Sequence, residues 1–83
     1  FNLMKIYKLP RPKKIKFFAH LDCYRLHSAQ EVIDIGLLEH LAAPDTVCAI
    51  EWPEKIARLL KKFQTRKIKI SILKNGQRKI SVN

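Results

Sequence analysis

Apolar and polar positions along this 83-residue chain change their spacing from block to block. Phe1 to Leu9 (FNLMKIYKL) is rich in apolar and aromatic residues and reads as a strand. Pro10-Arg11-Pro12-Lys13 breaks it, since proline cannot donate to a ladder and fixes its own φ. Lys14 to Asp22 (KIKFFAHLD) resumes as a second strand, hairpin-paired with the first. Its later half, Phe17 to Leu21, is almost continuously apolar, the pattern of a strand covered on both faces. Ser28-Ala29-Gln30-Glu31 has the capping-box spacing, with Ser28 as N-cap, and predicts a helix that runs through Val32 and Ile33 to a stop at Gly36. Next come a short helical turn over Leu37 to Leu41, a loop at Pro44-Asp45 and a buried-type strand over Thr46 to Glu51 (TVCAIE).

Pro53 suits the first turn of the next helix, and the residue before a proline, Trp52, is expected to be extended. Ile56, Leu59, Leu60 and Phe63 give that helix an apolar stripe ending near Lys62. In Lys67 to Leu73 (KIKISIL), Ile68, Ile70 and Ile72 face one way and Lys67, Lys69 and Ser71 the other. Asn75-Gly76 predicts a two-residue hairpin turn into a last strand, Gln77 to Val82. The order is strand, strand, helix, strand, helix, strand, strand. It describes a single α/β domain over residues 1–83, with a strand–helix–strand centre and an antiparallel hairpin on its edge. From Asp22 to Glu51 the chain has the length of one right-handed crossover, roughly 30 residues.

Composition narrows the class. Hydrophobic residues make up 47% with four Pro and two Gly, which excludes a disordered chain, and no apolar run approaches the ~20 residues of a membrane span. No signal-peptide pattern is present, and two cysteines, Cys23 and Cys48, do not make a disulfide scaffold; a reducing cytoplasm is the expected setting. The chain opens at Phe1, inside a strand-like block, and so reads as a piece of something longer.

The net charge of +10 is arranged in blocks. Phe1 to Ala19 holds six Lys/Arg and no acid, His20 to Glu54 holds all seven acids and one base, and Lys55 to Asn83 holds ten Lys/Arg and no acid. Such flanks attract phosphates and make nucleic acid a partner to weigh, although lysines alternating with isoleucines also describe a solvated sheet face.

The acids carry a sharper expectation. In open α/β sheets ligands bind outside the carboxyl ends of parallel strands, and Asp22 and Glu51 each close one such strand. Two carboxylates on one rim suit Mg²⁺, which takes hard oxygen ligands and keeps waters and substrate phosphates. The alternative is two acids that merely end strands, with Glu51 and Glu54 beside a helix N-terminus. Zinc is a poor match: His20, Cys23, His27 and Cys48 contain no C-x₂-C or H-x₃-H pair, and on a strand His20 and Cys23 point to opposite faces. Both thiols read as small buried hydrophobes.

His20-Leu21-Asp22-Cys23-Tyr24-Arg25-Leu26 resembles the H-x-D-x-Y-R-L segment of the TsaE (YjeE) family, Glu51-Trp52-Pro53-Glu54 resembles its E-W-P-E segment, and Glu31 with Gly36-Leu37-Leu38-Glu39 is similar to its E-x-x-x-x-G-[IL]-x-[ED] stretch. The resemblance covers essentially the whole chain but only the C-terminal part of a family member. It implies a partial P-loop NTPase-type sheet from small bacterial ATPases that support tRNA threonylcarbamoyladenosine modification with TsaB and TsaD. On matching positions, Asp22 would be the Walker-B-like acid on Mg²⁺, Glu51 would sit beside metal and γ-phosphate and order the attacking water, and Trp52 would flank the ATP pocket. Tyr24 and Arg25 would form the surface after the metal acid, and His20 reads as a packed or hydrogen-bonded strand residue rather than a ligand.

Two departures stand out. The G-x-x-x-x-G-K-[ST] phosphate loop is not in these residues, so the 83-residue chain alone is expected to be inactive, while the resemblance implies that the intact parent is a weak Mg²⁺-dependent ATPase. Phe1-Asn2-Leu3 is similar to the residues just after the family's Ser-Pro-Thr segment. The second departure is the basic excess, which suggests tRNA proximity or only Lys-rich strand faces. The competing reading is a basic, non-enzymatic RNA-binding or partner-binding module, against which stands an aromatic content of only 8%.

Overall fold

The computed structural model describes residues 3–83; the start of the first expected strand, at Phe1 and Asn2, lies outside the described residues. Strand β1 (Met4–Lys8) runs antiparallel to β2 (Phe17–Asp22), and β2 runs parallel to β3 (Thr46–Glu51). Between the parallel strands the chain crosses over through α1 (Gln30–Asp34) and α2 (Leu37–Ala42). A 3₁₀ turn, Pro53–Ile56, leads into α3 (Ala57–Leu60), and β4 (Ile68–Ile72) pairs with β5 (Arg78–Val82) as a separate antiparallel hairpin. The architecture is α/β, with a mixed three-stranded sheet in the order β1-β2-β3 and a two-stranded hairpin. No helix among the described residues is long and apolar enough to cross a membrane.

The core forms on one face of the sheet. Alternation along β2 sends Ala19 and Leu21 inward, where Leu21 joins Cys23, Leu26, Val32, Leu37 and Ile56 in one buried cluster. Ile50, Leu41, Leu59 and Leu60 pack around it. The opposite face is open: Phe18 and His20 are only half-buried, so β2 is covered on one side and not on both as its composition suggests. Phe18 instead packs beside Tyr7 across the antiparallel pair, ring centroids 6.2 Å apart.

Local signals play out with informative differences. The predicted helix start at Ser28 moves to Gln30, with Ala29 at the N-cap position and no side-chain cap. The Glu31 carboxylate accepts the His27 N–H instead, at 3.4 Å, so the acidic half of the box reaches back one residue further than the motif requires. Gly36 ends this helical turn in the left-handed region at φ 90°, where a side chain would be strained and a Cβ would meet the Glu39 carboxylate at 3.3 Å. Asn75-Gly76 lies in a longer turn than predicted. The Gly76 N–H donates to Leu73 O, Gly76 takes φ 83°, Asn75 Oδ1 accepts the Gln77 N–H, and Leu73 N–H closes on Gln77 O. This is a turn followed by a left-handed glycine, the usual form of a three-residue hairpin loop.

The hairpin is also not on the sheet's edge. The expected ten-residue helix after Pro53 is divided into a 3₁₀ turn and a four-residue α3, too short to carry the chain back across the sheet. β4 and β5 therefore satisfy each other's backbone groups and make no ladder with β1, β2 or β3 among the described residues. Their apolar positions, Ile68, Ile70, Ile72, Ile80 and Val82, remain 56–75% exposed.

Candidate functional site at the ends of the parallel strands

Parallel register places Asp22 directly beside Glu51, and His20 beside Ala49. Residues two apart on a strand share a face, so His20, Asp22 and Glu51 all lie on the open side of the sheet, opposite Leu21 and the core. The rim expected from the sequence is thus assembled: the two carboxylates are neighbours at the C-terminal ends of adjacent parallel strands.

Each carboxylate is oriented by one bond. Asp22 Oδ1 accepts the Tyr24 N–H at 3.0 Å, a local turn that bends the chain away from β2. Glu51 Oε2 is 3.0 Å from His20 Nε2, a hydrogen bond that becomes an ion pair when the imidazole is protonated. Both groups are substantially exposed, so this contact serves geometry more than stability, worth at most about 1 kcal/mol. Asp22 Oδ2 and Glu51 Oε1 make no contact among the described residues. No group of three or more His, Cys, Asp or Glu side chains converges on a common point among them either. The donor set is two hard oxygens on an open rim, which fits a cation that retains waters and takes its remaining ligands from a substrate.

The loops beyond the carboxylates are cross-tied. Cys23 N–H donates to Glu51 O at 2.9 Å, extending the β2–β3 ladder one step past Asp22. From the 3₁₀ turn, Lys55 Nζ reaches back to the carbonyls of Tyr24 (3.3 Å) and Leu26, satisfying acceptors that no secondary structure serves. Tyr24 and Trp52 meet above the rim with ring centroids 5.1 Å apart and planes inclined by 55°. Both rings are more than half exposed, leaving an aromatic surface beside Glu51.

Trp52 is not extended as the following proline suggests. It sits at φ 54°, ψ 58°, the left-handed region. Proline disfavours the right-handed helical region for the residue before it, and the sharp exit from β3 rules out an extended one. A bulky residue held there costs about 1–3 kcal/mol, the kind of strain concentrated at functional sites. Trp52→Gly is therefore expected to be more stable than Trp52→Ala by about 1 kcal/mol, because both lose the Tyr24 contact and only glycine relieves the backbone. Urea unfolding of the two variants measures the difference.

Cys23 lies under the rim and is fully buried. Burial, then the negative charges of Asp22 and Glu54, push its thiol from the ordinary 9.0 up to about 11, against a small opposing pull from Lys55. Burial raises Cys48 in the same sense. The native Cys23 thiol keeps its proton where the unfolded thiol has lost it. That contribution to stability is whole below about pH 9 and disappears as pH rises through about 11. The drop in urea midpoint between pH 8 and about pH 10.5 is expected to be smaller in Cys23→Ala than in the unaltered chain.

The His20–Glu51 bond, the Lys55 tie and the Tyr24–Trp52 pair are not deducible from the motifs. Only the His20-x-Asp22 spacing hints at the first, by placing both side chains on one face.

Ligands of open α/β sheets bind at the carboxyl ends of parallel strands, and this α/β segment brings two carboxylates to that end. The family model described as "Threonylcarbamoyl adenosine biosynthesis protein TsaE" matches residues 1–80, and the chain belongs to that family. It is similar to the tRNA threonylcarbamoyladenosine biosynthesis protein TsaE of Treponema pallidum, 40% identical over 63 residues covering 76% of this chain and 45% of the relative. The Rickettsia prowazekii protein of the same name is 34% identical over all 83 residues, covering 53% of that protein. The chain spans about half the length of the curated relatives it matches. No solved structure matches it.

Proposed function

We propose that the intact protein is a Mg²⁺-dependent ATPase of the P-loop type. It supports tRNA threonylcarbamoyladenosine modification in the cytoplasm together with TsaB- and TsaD-like partners, and this segment supplies its metal-side rim. The observation that carries the reading is the register pairing of Asp22 with Glu51 at the strand ends of a TsaE-family chain, each with one carboxylate oxygen free of hydrogen bonds among the described residues.

In this reading Asp22 would hold Mg²⁺, directly or through water, and the cation would supply positive charge against the phosphates of ATP. The Tyr24 N–H holds the Asp22 carboxylate through Oδ1. Glu51, held by His20 through Oε2, keeps Oε1 free to accept a hydrogen bond from the attacking water and orient it. Trp52, whose ring meets that of Tyr24, would flank the nucleotide with an apolar surface. The phosphate-cradling loop is absent from these residues, so the 83-residue chain by itself is expected to hydrolyse no ATP. Turnover by the full-length protein carrying Asp22→Ala tests the assignment; unchanged turnover removes Asp22 from the mechanism.

A further inference from the structure

The hairpin β4–β5 separates two chemistries onto two faces. Register pairs Ile68 with Val82, Ile70 with Ile80 and Ile72 with Arg78, which gathers the aliphatic side chains on one side with Arg78 at its turn end. Alternation then places Lys69, Ser71, Lys79 and Ser81 on the other, with Lys69 opposite Ser81 and Ser71 opposite Lys79. From Lys55 to Asn83 the chain carries ten Lys/Arg and no acid. Neither Lys69 nor Lys79 is neutralised by an ion pair among the described residues.

We infer that the Lys69/Lys79 face of this hairpin docks on the phosphate backbone of structured RNA. The two lysines lie on a diagonal of the ladder, where neighbours are about 7–8 Å apart, and their flexible stems let the ammonium groups reach neighbouring phosphates. Ser71 and Ser81 complete the square with hydroxyls that can donate to phosphate oxygens. Phe63, half-buried, is the single aromatic residue from Lys55 onward, so this region has no platform for stacking unpaired bases and the contact is with the backbone of a helix. A membrane that took up the isoleucines would leave Lys69 and Lys79 directed into water, so it would not be the ligand of the lysine face. Any body that covers the aliphatic face leaves the lysine face outermost.

The inference is independent of ATP hydrolysis, because the test contains no nucleotide. A labelled tRNA transcript is titrated with the 83-residue chain, and anisotropy is read at several salt concentrations. Lys69→Gln/Lys79→Gln is expected to weaken binding about 5–10-fold near 100 mM salt and to lower the slope of log K against log[salt] by about 1.5–2. Lys13→Gln/Lys14→Gln removes the same charge from the β1–β2 connection and is expected to change affinity less than about twofold. The inference fails if the unaltered chain shows no salt-dependent binding, if both double variants lose affinity equally, or if the Lys69/Lys79 variant binds as before. It also fails if that variant loses affinity for phosphatidylserine vesicles or polyglutamate while keeping its affinity for the transcript. The substituted side chains are exposed, and an unchanged far-UV spectrum ties any loss to the surface.

Discussion

Asp22→Ala in the full-length protein is expected, on the proposed function, to lower kcat for ATP hydrolysis by about 10²–10³-fold, the usual cost of removing one preorganised electrostatic group from a phosphoryl-transfer site. The loss should appear as a weakened dependence on Mg²⁺ rather than as a folding defect. Asp22 is an exposed strand end whose carboxylate bonds to the Tyr24 N–H, in a turn also held by the Cys23 N–H to Glu51 O contact and by Lys55. Glu51→Gln provides the matched comparison. It keeps the shape and a hydrogen bond to His20 but weakens acceptance from water, so nucleotide affinity should stay within a few-fold while kcat falls. Steady-state rates at varied Mg²⁺ and ATP separate the two roles. Equal effects of both variants on nucleotide affinity alone would contradict the division of labour.

Leu21→Ala is expected to be the most damaging core change. Leu21 is fully buried one residue before Asp22 and belongs to the cluster that joins the covered face of the sheet to α1, α2 and the 3₁₀ turn. A buried Leu→Ala truncation costs about 2–5 kcal/mol, from lost transfer energy and the cavity left behind. A domain of this length has only about 4–12 kcal/mol in total. With a urea dependence of about 1 kcal/mol per molar, the midpoint should fall by about 2 M or more, or the chain should be unfolded without denaturant. Ile72→Ala, at a position 75% exposed, should change stability by less than about 0.5 kcal/mol. A large effect there would show that the hairpin's aliphatic face is covered in solution.

These contrasts show what periodicity can deliver. β3 matches its expected limits, Thr46 to Glu51, because a continuous apolar run ends at a charge and a tryptophan–proline step. The pairing of Asp22 with Glu51 is legible for the same reason: both acids end apolar runs, and a single crossover joins them. Bonds that depend on register across the sheet are not legible. His20 can be placed on the face of Asp22, but its partner on another strand is fixed only once β2 and β3 align. Trp52 departs from the local rule because a tertiary constraint, the exit from β3 into Pro53, outweighs the residue's own preference. The hairpin's position escapes a reading of the sequence because the stripe Ile56, Leu59, Leu60 and Phe63 gives no sign that the helix tightens to 3₁₀ at its start and stops at Leu60.

The cross-tie between the two motif loops governs how the rim comes and goes. The Asp22 loop has local bonds of its own, Tyr24 N–H to Asp22 Oδ1 and Leu26 N–H to Cys23 O, but it is joined to the Glu51 loop by cross-ties: Glu51 O is engaged by Cys23, and the Tyr24 and Leu26 carbonyls by Lys55. The two halves are therefore members of one cooperative opening unit, and a fluctuation that frees residues 51–56 also releases the loop behind Asp22. Such a rim has no half-assembled form. It exists when the crossover has closed and is lost whole when either strand end lifts, so its lifetime is that of the least stable tie and not that of the buried core beneath it.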